Sequence, residues 1–314
     1  MNIRALDAQP DATLAQALGR FESRFTYPLG ESTAFRVSHG DDYSRFYRAM
    51  GDSRVVIAER GGEVLGTLGG AVREVRSPDG GSLSALYVGD LKVLPGLEAG
   101  LVLVRLAAVL MAWAAPRVTA AFGVVMDGTH KTPQRYTGRF GIPAFSELGR
   151  IMVLRVACER AADAGRQRAC PEVEGLEIFQ ALTRGHYAPT NSVAAERSTL
   201  VPRWMRLESG LACGMLEDTG KAKRLFEVGG GELRSAHLSY FAFAHPGAGA
   251  QLLLQAAAQA AALEFPALFC AVPVDRAPPL LDALGSVACT LAPATVYGAG
   301  LAKGFAWHLN TSEI

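Results

Sequence analysis

Two side chains of this sequence stand where protons could be moved. Asp90 lies in Tyr87-Val-Gly-Asp-Leu-Lys-Val93, whose alternation reads as a strand. That alternation puts Asp90 on the same face as Lys92 and opposite Leu91 and Val93. A carboxylate so placed either accepts a proton as a general base or pairs with Lys92 on the sheet surface. Tyr136, in Gln134-Arg-Tyr-Thr-Gly-Arg-Phe-Gly141, offers a hydroxyl that can give a proton, and it is also the kind of residue a sheet edge half-buries. Asp127 and His130, in the loop before it, could act on a second reactant. Between the two candidates, Gly96-Leu-Glu-Ala-Gly-Leu-Val102 joins the strand end at Pro95 to the apolar run Leu101–Ala114. A helix starting there leaves its first N–H groups unpaired and converging, a favourable place for an anion such as a phosphate.

The flanking segments supply a frame for these residues. Arg54–Arg60 and Glu63–Arg73 surround Gly61-Gly62, which gives the positive φ a tight hairpin turn needs. Ser77-Pro-Asp-Gly-Gly81 is a second turn, leading into Ser82–Val93, so three antiparallel strands precede the helix. Thr119–Val125 then reads as a short buried strand, a helical segment follows around Gln134–Tyr136, and Ile151–Val156 is another strand. The order is β-β-β-α-β-α-β. With Leu91-Lys-Val-Leu-Pro95 at the end of the fourth strand, residues 20–157 resemble the GNAT superfamily of acyl-CoA N-acyltransferases, in which Leu-x-Val-x-Pro ends that strand and a Gly-rich turn holds the CoA pyrophosphate. The resemblance implies acetyl-CoA or another acyl-CoA as co-substrate, held by Val93, Leu97, Glu98, Ala99, Gly100, Leu101 and Val102. It also implies Asp90 as base and Tyr136 as acid in the acylation of an amine. The chain departs from the family pattern in two places. Glu98 stands in the turn where a basic residue is common, with one glycine near the helix start. Gly141 falls five residues after Tyr136, one more than usual.

Beyond Cys158–Pro171, a polar, small-residue-rich candidate linker, the pattern of the first half returns. Cys213–Gly220 and Lys223–Val228 suggest a hairpin, and Glu232–Ala244 a long strand. His245-Pro-Gly-Ala-Gly-Ala250 is a turn, Gln251–Leu263 a helix and Leu268–Val272 a strand. Pro279–Leu284 is a short helix, and the last strand is expected around Ala302–Leu309. The expected fold is α+β, with two tandem acyl-CoA N-acyltransferase-like domains at 1–157 and 172–314, each a mixed, mostly antiparallel sheet flanked by helices. Chance alternation of strands and helices is the competing reading. Of the two turns, His245–Ala250 has more glycine and no acid, but the second half shows no counterpart of Asp90 or Tyr136, so the donor is expected in the first.

At 314 residues the chain is long enough for two such units, and a net charge of +1 gives no basic surface for nucleic acid. Leu101–Ala114 is too short to span a bilayer, and no signal-peptide core opens the sequence, so a cytoplasmic location is expected. Five scattered cysteines and six scattered histidines show no metal-ligand spacing. Asp41–Gly51 reads as a short helix with an Asp N-cap, carrying Tyr43, Phe46, Tyr47 and Met50 on one face. With Arg24, Phe25, Tyr27, Phe35 and Arg36 it forms either an aromatic, basic lid over an acceptor or a helix packed on the sheet. The acceptor expected is an amine of a small molecule or peptide. An acyl carrier protein is a second kind of donor this reading admits. A non-catalytic tandem protein binding a ligand or partner is the alternative from another class.

Overall fold

The computed structural model describes residues 1–29, 33–159, 170–191 and 193–314, so most of the linker expected at 158–171 lies outside the described residues. In chain order the first half contains β1 (Asn2–Leu6), α1 (Ala12–Glu22), β2 (Tyr27–Leu29), β3 (Thr33–Ser38), α2 (Arg45–Arg48), β4 (Ser53–Arg60), β5 (Glu63–Arg76), β6 (Ser82–Val93), α3 (Ala99–Ala114), β7 (Ala120–Met126) and β8 (Ser146–Ala157). The second contains α4 (Glu172–Leu182), β9 (Ala188–Pro189), β10 (Arg203–Arg206), β11 (Ala212–Glu217), β12 (Arg224–Glu227), β13 (Ala236–Phe243), α5 (Pro246–Ala262), β14 (Ala267–Pro273), α6 (Ala277–Leu284) and β15 (Cys289–Ala299). Among the described residues no helix is long and apolar enough to cross a membrane.

Eleven of these strands form one continuous sheet in the order β1-β4-β5-β6-β7-β15-β8-β14-β13-β11-β10, with β9 added beside β5. The tandem plan is legible in that order, but the halves are interleaved. β15 of the second half inserts between β7 and β8 of the first, and β8 inserts between β15 and β14. Each half thus completes its sheet with a strand of the other. We propose 1–157 and 172–314 as the two repeat units, joined by this exchange.

Backbone irregularities repeat as well. In the first half, Thr67 pairs with Lys92 and Gly69 with Gly89, leaving Asp90 and Leu91 opposite Leu68 alone. In the second, Met215 pairs with Ser239 and Cys213 with Ala242, leaving Tyr240 and Phe241 opposite Gly214 alone. Each bulge puts its first residue in the left-handed region, Asp90 at φ 50 and Tyr240 at φ 53. A non-glycine residue there costs on the order of 1–3 kcal/mol, so its appearance at one place in both halves marks a feature of the fold.

Several elements differ from their sequence reading. The last strand is Cys289–Ala299, not Ala302–Leu309. Pro293 lies inside this strand, and β7 pairs with β15 only from Ala294 onward, so the missing N–H falls where that side is still an edge. The hairpin expected from 213 to 228 does not form. β11 pairs with β13, and β12 leaves to pair with β3 in a separate three-stranded sheet, β12-β3-β2. The helical segment near Tyr136 is a single 3-10 turn, Pro133–Arg135, and α3 begins two residues earlier than expected. In segment 41–51 only Arg45–Arg48 is helical and Ser44 is its N-cap, while Asp42 bonds Arg45 and Arg48. The apolar face assigned to that segment is buried throughout, at Tyr43, Phe46, Tyr47 and Met50.

Candidate active site

β6 and β7 run parallel and pair only from Ala85, Leu86 and Tyr87 to Ala120, Ala121 and Phe122. Beyond that point both strands continue without pairing to each other, and the sheet splays. Contact at the fork requires Gly123, where an added Cβ would fall 2.5 Å from the Val88 carbonyl oxygen. A cavity of about 710 Å³ passes through the splay. On one side of the sheet it is lined by Leu103, Ala107, Leu110 and Met111 of α3, with Ile142 and Phe145. On the other it meets Tyr27, Phe35, Phe46 and Tyr47, and side chains of the second half that include Lys223 and His237. The small three-stranded sheet supplies part of this second wall.

Asp90 lines the cavity, and its carboxylate is bound within a network. Lys92 Nζ lies 2.8 Å from Asp90 Oδ1 and 3.2 Å from Glu22 Oε1. His39 Nδ1 lies 2.7 Å from Glu22 Oε1, and His39 Nε2 is 3.1 Å from Asp90 Oδ2 but off the line of a hydrogen bond. Burial alone would raise the Asp90 carboxyl, but Lys92 and His39 outweigh it and hold it well below the usual carboxylate range. For His39, burial opposes the charged form, yet Glu22 and Asp90 raise its pKa on balance. Two carboxylates and two cations therefore form a buried cluster that is neutral when His39 is protonated. Above it, Tyr47 lies across the Gly69–Gly89 pair, where an added Cβ on Gly69 would sit 2.1 Å from its ring. The buried Tyr47 hydroxyl finds no hydrogen-bond partner among the described residues.

Tyr136 lines the same cavity, and burial pushes its hydroxyl up to about 12, so it stays protonated. Asp127 and His130 separate from it. Asp127 is tied to Arg150 and accepts from Thr295 at 2.8 Å, while His130 is exposed. At the turn, Glu98 is paired with Arg60, which offsets the negative charge beside an anion there. Leu97 and Leu101 are exposed, and a Cβ on Gly100 would meet nothing within 4 Å. Val93 is half-buried, and Val102 is buried under β5 beside Gly66.

The second half is closed at both corresponding places. Its parallel pairing covers only Ala236–His237 with Leu268–Phe269, and the gap beyond is filled by residues 310–312. Asn310 Oδ1 accepts from the Tyr240 N–H at 2.7 Å, Thr311 Oγ1 lies 2.8 Å from His237 Nδ1, and Ser312 Oγ 2.9 Å from Ser239 Oγ. At the helix start the His245 ring accepts from Ala248 N, and Gly249 is packed against Phe243, 2.7 Å from an added Cβ. Gly249 of that turn serves helix packing. Glu217 and Glu313, bound to buried Arg197, lock the filling segment in place.

Sequence reasoning did not find Glu22, His39, Tyr47 as a site residue, or Lys223. Lys223 is buried in the cavity, lies 4.5 Å over the Phe46 ring, and donates to an oxygen of Ile314. Burial lowers its pKa to about 8, against the opposing pull of Asp90. Among the described residues no group of three or more His, Cys, Asp or Glu is placed to hold a metal ion.

Sequence comparison finds no matching family model and no matching curated protein. The fold, however, is shared with N-acyltransferases of the GNAT type. Saccharomyces cerevisiae N-myristoyltransferase with bound myristoyl-CoA superposes with a TM-score of 0.64 at 8% identity, over 94% of this chain and 82% of that one. The same enzyme with bound myristoyl-CoA and inhibitors gives 0.65 at 10%, over 99% and 83%. A GCN5-related N-acetyltransferase from Anabaena variabilis ATCC 29413 gives 0.52 at 11%, over 95% and 72%. The two-half arrangement is thus that of a tandem N-acyltransferase fold.

Proposed function

We propose that the chain is an N-acyltransferase that moves an acyl group from an acyl-CoA to an amine, with the reaction at the first-half splay. The observation that carries this reading is the cavity crossing the sheet at the Asp90 bulge, lined by residues from both of its faces. A donor can enter from the α3 side and an acceptor from the other, so their reacting atoms meet in the gap. In the second half the bulge N–H of Tyr240 donates to a side-chain carbonyl oxygen, Asn310 Oδ1. By the repeat, the Asp90 N–H takes the corresponding place for the thioester carbonyl, where it would stabilise the developing oxyanion. The first turn of α3 receives the pyrophosphate, and the Tyr136 hydroxyl protonates the departing thiolate.

The lining favours a long acyl chain over acetyl. Leu103, Ala107, Leu110, Met111, Ile142 and Phe145 give an apolar channel along α3 with more room than two carbons need. Each buried CH₂ contributes about 0.8 kcal/mol, so a chain longer by four carbons should bind roughly 200-fold more tightly. The likeness to N-myristoyltransferase structures with bound myristoyl-CoA agrees with this direction. The test is calorimetry with acetyl-, octanoyl- and myristoyl-CoA, followed by CoA release in the presence of amino acids, their amides and a glycine-terminated peptide. Equal affinity for all three donors would overturn the chain-length assignment. No binding of any donor would overturn the acyltransferase reading.

A further inference from the structure

On the acceptor side the cavity continues as a channel between the main sheet and the small three-stranded sheet. Phe35 and Val37 of β3 and Leu225 of β12 line one wall, and Val153, Phe269 and Ala292 the other. At its far end stands Arg155 of β8, directly opposite Thr290 of β15 on one side and Phe269 of β14 on the other. An interior strand seldom carries a charge on a covered face unless an opposite charge meets it. Arg155 is half-buried and lines the cavity, yet among the described residues its guanidinium forms no hydrogen bond and no ion pair. The nearby carboxylates are taken. Asp218 accepts from Ser198 Oγ, Thr199 Oγ1 and the N–H groups of Thr199, Leu200 and Gly220, and Glu232 is paired with Arg224. Arg234, at the same edge of the sheet, lies over the Phe265 ring at 5.2 Å and has the Glu232 charge near it without an ion pair. Beside it the buried Ser235 Oγ has no hydrogen-bond partner among the described residues. This end of the channel holds more cations than carboxylates.

The strand register sets how far that end lies from the chemistry. Met126 of β7, Ala294 of β15 and Ile151 of β8 stand in one row across the sheet, level with the splay. Arg155 is farther along β8 than Ile151 by about 13 Å of strand rise, and it lies about 10 Å to the side of β7. The Cα separation is on the order of 16 Å, and a guanidinium turned into the channel shortens the gap, leaving roughly 10–16 Å to bridge. A single amino acid carries its carboxylate too close to its nitrogen to reach both places. An extended peptide covers the gap in about three to five residues, at about 3.3–3.6 Å each. We propose that the acceptor is an acidic peptide whose N-terminal amine enters the splay, and that Arg155, assisted by Arg234, binds an acidic side chain about four to six residues into it. This rests on the acyltransferase reading above. A guanidinium meets a carboxylate in two parallel hydrogen bonds, so Arg155 selects charge and distance together. A lysine at the same position of the peptide meets two arginines and is repelled.

The test uses myristoyl-CoA as donor and glycine-started heptapeptide amides of alanine and serine as acceptors. Each peptide carries a single aspartate or a single lysine, moved from the second position to the seventh, and CoA release gives kcat and KM. In the wild type the aspartate peptide should exceed its lysine twin by about tenfold or more in kcat/KM when the charge stands at the fourth to sixth position, chiefly through KM. Arg155→Gln should shrink that ratio to within about threefold, and Arg155→Glu should invert it. Calorimetry with myristoyl-CoA shows that each variant is folded. Should the Arg155 variants not fold, Thr290→Asp serves instead. It places a carboxylate at an exposed position directly across from Arg155, where it should occupy the guanidinium and abolish the aspartate preference. A wild type indifferent to the peptide's charge at every position, or an Arg155→Gln variant with the full preference, would overturn the proposal alone. Acylation of hydroxylamine without acylation of any peptide would do the same. A wild type that binds myristoyl-CoA but acylates neither hydroxylamine nor peptide would remove the acyltransferase reading and this inference with it.

Discussion

Replacing Asp90 by asparagine separates two roles that one carboxylate could have. In the structure Asp90 neutralises Lys92 at 2.8 Å and faces His39 at 3.1 Å, while Glu22 serves the other side of both cations. The amide would keep the shape and remove the charge, leaving Lys92 and His39 with one carboxylate between them. Removing one partner from a buried ion pair costs about 3–5 kcal/mol, and the retained Glu22 places the expectation near the lower figure. With an m-value of roughly 3 kcal/mol per molar urea, the midpoint should move down by about 1 M. A second change, Lys92→Met, removes the stranded cation, so Asp90→Asn/Lys92→Met should recover part of the loss, a coupling of roughly 0.5–3 kcal/mol. The pH dependence has a definite sign. The folded-state pKa of Asp90 is depressed, so its contribution is fully present above the unfolded carboxylate's range and is lost as pH falls through the folded value. For His39 the folded value is raised, and its contribution disappears as pH rises through that value. Equilibrium urea unfolding between pH 4 and 8, run beside donor binding and turnover, measures all of these. A variant as stable as wild type, yet without turnover, would refute the argument and make Asp90 the base.

Ala107→Trp should fill the α3 side of the cavity, lowering turnover of myristoyl-CoA by more than about tenfold while sparing octanoyl-CoA, as chain-length profiles would show. Gly249→Ala should destabilise by about 1–3 kcal/mol, because its Cβ meets the Phe243 ring at 2.7 Å and Leu280 at 3.1 Å. Gly100→Ala, which meets nothing, should be neutral or stabilising by up to about 1 kcal/mol in thermal unfolding. Gly100→Asp should weaken CoA binding, and Gly249→Asp should act on stability first, both read by calorimetry on the folded fraction. Arg197→Met should cost roughly 3–5 kcal/mol by urea unfolding, since it strands Glu217 without a charge partner and leaves Glu313 with Arg73 alone.

Local chemistry made part of this legible from the sequence. The run from Tyr87 through Pro95 to Ala114 announces strand, turn and helix by alternation, a breaker and an apolar stretch, and His245–Leu263 does so again. Long-range pairing left no such trace. β12 looks like the partner of β11 because the two are adjacent in sequence, yet it joins β3, and nothing near Arg224 records that. The central strand Cys289–Ala299 contains Pro293, and whether a proline is tolerated in a strand depends on which neighbour is present at that residue, which the sequence does not record. The charge cluster is invisible for a related reason. Glu22, His39 and Lys92 lie on three elements, and each alone reads as a surface charge. Lys223 reads as one of two lysines in a polar turn, and only the fold brings it to Phe46 and the splay. A sequence signal for Tyr47 did exist in the Gly69 and Gly89 positions, but their meaning depends on knowing that they face each other.

The interleaving of β8 and β15 also governs the order in which the molecule can be made. During synthesis the first half emerges with β7 and β8 in place and a strand-wide gap between them. β7 presents unpaired backbone along the segment that Ala294–Ala299 later covers. The strand that closes it is Cys289–Ala299, so the nascent chain carries an open edge from the synthesis of β7 until that strand is made. Closure joins Phe122 to Gly298 and Ile151 to Ala294, contacts with almost the greatest loop entropy the chain can incur. The seam therefore makes closure at the centre of the sheet wait for Cys289–Ala299, and the splay beside β7 takes its final shape only when that strand is in place.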